Sequence, residues 1–277
     1  MKSIIFRKYN TVGEFAKHLE NADFQKAFAK RVQYGGSQGS RFSFYGTKNY
    51  EEADRLLLFG DKDLQKKIEE AGVYTTRMRL KYQANKKQVY SSVVGFAPNV
   101  PAYIAGAPNS MINQRQIKAR KRVVTIMYNT SVSCCVSADD IINATAQMIS
   151  AVMLLEANGL RVNVYVGEVT KCTEDEQKFG WLLRIKDSGQ KIDTLKMSYP
   201  LAHPSMLRRH AFKLLETTPD VSSCFVSNYG MPINSEKESL DILKAAGVNN
   251  IQRVLCFNTI CGKSAEDIAK MITEEAK

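Results

Sequence analysis

The most distinctive polar cluster in the chain is His203-Pro204-Ser205-Met206-Leu207-Arg208-Arg209-His210. The two histidines are seven residues apart, which puts both on one helix face if Pro204 occupies the first turn. One chemistry open to this cluster is anion recognition, with His203, Arg208 and Arg209 gathered around a phosphate or carboxylate. The preferred alternative is structural. It has His203 hydrogen-bonded at a helix start and the arginines paired with acids such as Glu216 or Asp193.

A second group is basic and aromatic. Arg77, Arg79, Lys81, Lys86 and Lys87 surround Tyr82 and Tyr90. Cations interleaved with aromatic rings neutralise phosphates and stack bases. The plainer reading, preferred by a small margin, is an exposed hairpin whose charged edges discourage aggregation.

The six cysteines form no C-x2-C pair, and no histidine stands at zinc spacing from them. Cys224 and Cys256 lie in apolar runs and read as small core residues, so no disulfide framework is expected. Cys134 and Cys135 precede a long helix, the one place where a helix N-terminus could lower a thiol pKa. The chain has no G-x-S-x-G elbow, no H-E-x-x-H and no dinucleotide-binding glycine fingerprint. The run Tyr34–Ser40 is rich in Gly and Ser but lacks the lysine of a phosphate loop, and reads as a surface loop. No catalytic residue is assigned.

These groups need elements to hold them. Thr11 is a candidate N-cap for a helix to Leu19, with Glu14 completing a capping box. Two helices, Tyr50 to Gly60 and Lys62 to Gly72, end on glycines. Phe42, Phe44 and Gly46 suggest a short strand. Thr75 to Gly95 suggests a hairpin turning near Asn85-Lys86-Lys87. An irregular proline-containing stretch and a basic link, Gln114 to Arg122, lead into the second half.

From Val123 the pattern is more regular. Val123–Tyr128 is a nearly all-apolar strand, as expected where both faces are covered. Ser137 caps a long helix with its buried stripe on Ile141, Ala144, Met148, Ala151, Val152 and Leu155. Strands are predicted at 161–169, 181–186, 221–227 and 253–257. Helices are predicted at 194–215, 239–246 and 265–276. Alternation of this kind predicts an α/β fold with a mostly parallel, doubly wound, Rossmann-like sheet. We divide the chain into a basic α+β region, 1–120, and an α/β domain, 121–277.

The charge is uneven in the same way. Residues 1–120 hold 21 Lys/Arg against 10 Asp/Glu, and residues 121–277 hold 18 of each, so the net +11 lies wholly in the first part. That asymmetry points to an acidic partner such as nucleic acid, or to a solvated basic surface. The sequence predicts no secretory leader and no membrane span: Ile141–Ala157 is too short and too polar. The protein is expected to be cytoplasmic.

In its second half the chain resembles the von Willebrand factor A fold. That family ends its first strand in D-x-S-x-S, which holds a divalent cation. Here the residues are Asn129-Thr130-Ser131-Val132-Ser133, so Ser131 and Ser133 match and Asn replaces Asp. The family's fourth strand ends in an S-D-G-like turn, matched here by Ser227-Asn228-Tyr229-Gly230 with Asn again in place of Asp. An amide oxygen brings no charge to a hard cation, so the resemblance implies a degenerate site and no cofactor. Asn129 and Asn228 then read as turn residues. Three further segments, Gly46–Ala53, Val100–Pro108 and Leu201–Arg209, resemble an uncharacterised family carried mainly by bacteriophages.

Together these readings predict a non-enzymatic interaction protein, phage-encoded and acting in the host cytoplasm. It would dock a protein partner through the loops at Asn129, Ser131, Ser133 and Asn228, at the sheet edge where open α/β folds bind ligands. The second expectation is nucleic-acid binding through the basic region. The third, a metal-dependent enzyme, lacks acids to hold the metal.

Overall fold

The computed structural model describes residues 4–71, 85–118, 122–133, 136–172 and 174–274. The chain opens with strand β1 (Ile4–Tyr9), followed by helices α1 (Val12–Glu20), α2 (Ala29–Gln33), α3 (Phe42–Tyr45), α4 (Tyr50–Phe59) and α5 (Lys62–Ala71). Next come β2 (Asn85–Ser92), β3 (Ala97–Pro98), α6 (Val100–Ile104) and β4 (Met111–Lys118). Then follow β5 (Val123–Asn129), α7 (Ala138–Ala157), β6 (Arg161–Lys171), β7 (Lys178–Lys186) and α8 (Thr194–Ala202). A π-helical turn, Met206–Ala211, runs into α9 (Phe212–Thr217). The chain ends with α10 (Ser223–Asn228), β8 (Met231–Pro232), α11 (Glu236–Ala245), β9 (Arg253–Cys256), α12 (Phe257–Ile260) and α13 (Ala265–Thr273).

The predicted mostly parallel α/β sheet is present, in the order β1-β7-β6-β5-β9, with β8 added beside β6. β5 pairs in parallel with both β6 and β9, and β1 in parallel with β7; the β6–β7 pairing is antiparallel. Ile126 and Tyr128 face the larger core, beneath α7, α8 and α13, and Met127 faces a smaller one with Ile242, Leu243 and Val254. Coverage on both faces is why β5 is apolar throughout. Residues on both sides of position 120 build the larger core: Tyr9, Phe15, Leu19, Leu57 and Leu64 belong to it along with Val152, Trp181 and Leu214.

Local chemistry sets several boundaries as read. Thr11, Ser137 and Ser264 each accept the N–H three residues on, and each opens its helix. Four expectations are corrected. No element is predicted before Thr11, yet β1 covers the outer edge of β7, with Gly180 leaving room for the Phe6 ring. Phe42–Tyr45 is a helical turn closed by left-handed Gly46, where a strand is predicted. Residues 223–228 are helical because Ser222 caps them, so the Ser227–Gly230 turn follows a helix and does not end a strand. Finally, Cys172 and Cys224 are joined by a disulfide. β6 and α10 bring their Cα atoms to 5.9 Å, within bonding reach, across 52 residues of sequence. Among the described residues no helix is long and apolar enough to cross a membrane.

Candidate functional site

The loop after β5 turns inward. Asn129 is 0% and Ser131 3% exposed. Asn129 donates from Nδ2 to the Ile233 carbonyl at 3.1 Å, and its Oδ1 accepts the Ser131 N–H at 3.1 Å. Ser131 Oγ donates to Glu168 at 3.2 Å, and Trp181 Nε1 donates to the other Glu168 oxygen at 3.2 Å. Burial pushes the Glu168 carboxyl up to about 7, against the pull of those two hydrogen bonds. These residues do not fit a divalent cation, because the amide oxygen is engaged and the single acid has both oxygens bonded. Among the described residues no three His, Cys, Asp or Glu side chains group to hold a metal. Ser133 and Asn228 are exposed, and Asn228 Oδ1 accepts the Gly230 N–H at 2.9 Å, which is turn chemistry.

The 203–210 cluster is also interior. The wider π-helical turn places Arg208, Arg209 and His210 all on the buried side. His203 Nδ1 accepts the Ser205 N–H at 3.0 Å, and its ring stacks on Tyr199. Burial holds its pKa down to about 4, so it is neutral at neutral pH. Arg208 donates to the Phe44 carbonyl and lies over the Phe44 ring. Arg209, 0% exposed, donates to Thr47 Oγ1 at 2.7 Å and to the carbonyls of Ser37 and Thr47 at 3.0 Å each. His210 bridges Asp54 at 2.8 Å and Tyr199 at 3.0 Å, and burial lowers its pKa.

These groups fasten the Gly/Ser run to the body. Ser37 is buried and donates from both N and Oγ to Glu216, which also accepts the Tyr229 hydroxyl at 2.7 Å. Of the run only Ser37 is buried, because buried Glu216 needs donors; Tyr34, Gln38 and Ser40 are exposed, as a surface loop would have them. The arginines bond carbonyls, rings and Thr47; neither of the acids proposed for them, Glu216 and Asp193, is their partner in these bonds. Sequence reading missed Glu168 and Asp54, and it named Glu216 with a different partner. The one local signal was Glu168, a lone acid inside the apolar run Val162–Val169.

The second half of the basic group lies elsewhere. β2, β4 and β3 form a separate three-stranded sheet, and α6 joins it as an arm on the body. Lys86 and Lys87 stand in β2, opposite Ile117 and Gln116, where a turn is expected; the eight-residue pairing with β4 carries the strand through them. Arg77, Arg79 and Lys81 lie outside the described residues. No side chain described between Gln88 and Arg115 is buried, and no arm residue belongs to either core. The arm's close points are backbone: a Cβ on Gly95 would lie 2.2 Å from the Ile112 carbonyl oxygen, and Asn99 caps α6. Arg115 donates to Gln88 at 2.9 and 3.0 Å, and its guanidinium lies 5.5 Å from the Tyr90 ring centre. Beyond them the arm is apolar and open. Val93, Val94, Phe96, Val100, Tyr103 and Ile104 are all exposed, Phe96 by 65%, Tyr103 by 73% and Ile104 by 78%.

Residues 2–260 match the model of a family described as a domain of unknown function, DUF7192. No curated protein and no solved structure matches the chain.

Proposed function

The chain belongs to the DUF7192 family, and we propose that it is a non-enzymatic interaction protein whose docking element is the arm at residues 85–118. The observation that carries this is the set of large exposed apolar side chains on an arm where no side chain described, from Gln88 to Arg115, is buried. Monomeric proteins seldom leave such a cluster uncovered, and a small sheet without a core gains stability from what it docks against. Burying one Phe or Ile contributes about 1.5–3 kcal/mol. Asn129 and Ser131, being interior, serve the body; the surface for a partner is the arm.

The resemblance to the A-type fold belongs to this reading, with the body as a scaffold that has lost its metal chemistry. The strand order β7-β6-β5-β9, with β7 antiparallel, supports it. A phage origin and action in the host cytoplasm belong to the same proposal, on the strength of the three segments named above.

The test compares the full chain with Phe96→Ser, Tyr103→Ser and Ile104→Ser combined. An apolar fluorescent dye should lose most of its binding, while the unfolding midpoint moves by less than about 2 °C. A fall of roughly 10 °C would place these side chains in the stability of the body and contradict the reading.

A further inference from the structure

Resting on the arm as the docking element, we infer that its partner is a nucleic acid, held as a single strand with phosphates on the ribbon's cations and bases on its aromatic rings. The charge pattern is the first ground. Between Glu70 and Asp139 the sequence has no Asp or Glu at all, while Lys86, Lys87, Arg115, Lys118 and Arg122 are among its cations. The rest of the chain mixes both signs. A surface made for a protein carries both signs at its rim, whereas one made for a polyanion is cleared of acids along its whole length.

The second ground is geometry. Lys86, Lys87 and Lys118 stand at one end of the β2–β4 ribbon by register, with Arg115 further along. Eight paired residues at about 3.4 Å each give a track of roughly 27 Å, long enough to follow several phosphates. Arg115 lies over Tyr90 on the same face, and Gln88 bonds it there, so a cation and a stacking ring are held together in the open. Phe96 and Tyr103 are two further exposed rings, Phe96 on a backbone bonded to Ile112 at the other end of the ribbon. Gln114 is exposed on the opposite face of the ribbon, paired with Val89, and carries an amide suited to base edges. A lipid surface would be met by cations too, but it has no use for a ribbon lined with Gln88, Asn113 and Gln114.

The experiment is fluorescence anisotropy of the full chain with 20-nucleotide single-stranded DNA, single-stranded RNA and duplex DNA, from 20 to 200 mM salt. Four phosphate contacts predict a log–log salt slope of about −3, a loss of roughly 50-fold between 50 and 200 mM. Tyr90→Ala should weaken single-strand binding roughly tenfold. Lys86→Glu, Lys87→Glu and Arg115→Glu together should abolish it with the circular dichroism unchanged. Absence of binding at 20 mM salt would overturn the inference; if the serine triple still lowers dye binding, the docking arm stands with another partner. Tighter binding to duplex than to single strands, indifference to charge reversal, or binding only to phosphatidylserine vesicles would each overturn it as well.

Discussion

Arg209 and Arg115 both lie over a tyrosine ring, and they could hardly be used more differently. Arg209 is in the interior, 4.3 Å from the centre of Tyr45, with three hydrogen bonds to Thr47 and Ser37. Arg115 is in the open over Tyr90, hydrogen-bonded to Gln88. The body has turned Arg209 and Glu216 inward to fasten the Gly/Ser run at Ser37. The arm has left Arg115 and its large apolar residues to solvent. The contrast teaches that residue type alone does not identify a binding surface. What separates a buried fastener from a docking group is whether its polar atoms already have partners.

Arg209→Met should break this comparison most severely. It strands the Ser37 and Thr47 carbonyls in the interior and should cost about 3–4 kcal/mol, read as a fall of roughly 10 °C in thermal unfolding. A loss below about 1 kcal/mol would show that the fastening is dispensable.

Glu168→Gln tests the buried loop through pH. The folded carboxyl is raised to about 7, so the folded state holds a proton that the unfolded chain releases near 4.5. Stability from this group is full below about 4.5 and declines as pH rises to about 7, by about 3 kcal/mol in all. The glutamine variant should lack that decline and be more stable than the parent at pH 8 in urea titrations. His203 works in the opposite direction: its folded pKa is lowered to about 4, so its contribution is lost as pH falls from about 6.5 to about 4. A variant at Glu168 with an unchanged pH profile would mean that the carboxyl is not held protonated.

Smaller effects are expected on the arm. Arg115→Gln should change stability by no more than about 0.5 kcal/mol, because it breaks no buried hydrogen bond. A cost equal to that of Arg209→Met would erase the distinction between the two regions.

Much of the fold was legible because it rests on local signals. The caps at Thr11, Ser137 and Ser264, the apolar run of β5 and the glycine end of α4 are written in neighbouring residues. What failed depends on distance. Residues 221–227 are the exception, since their composition is strand-like and a local cap, Ser222, opens a helix there. The Cys172–Cys224 bond spans 52 residues, and β1 becomes a strand by lying beside β7. At the candidate site the cations were legible and their use was not. Arg209 meets Thr47 across 162 residues, which no spacing reveals. The arm's exposed apolar cluster was equally hidden, because Val93, Phe96 and Ile104 could as well have joined a core.

The central claim is that the arm, and not the inward-turned loop after β5, meets the partner. Hydrogen–deuterium exchange of the full chain tests it directly, with and without a 20-nucleotide single strand at low salt. The account predicts fast exchange over residues 88–115 in the free protein, new protection there when the strand is added, and no change at Asn129–Ser131. Protection gained around Asn129–Ser133 with the arm unchanged would contradict it.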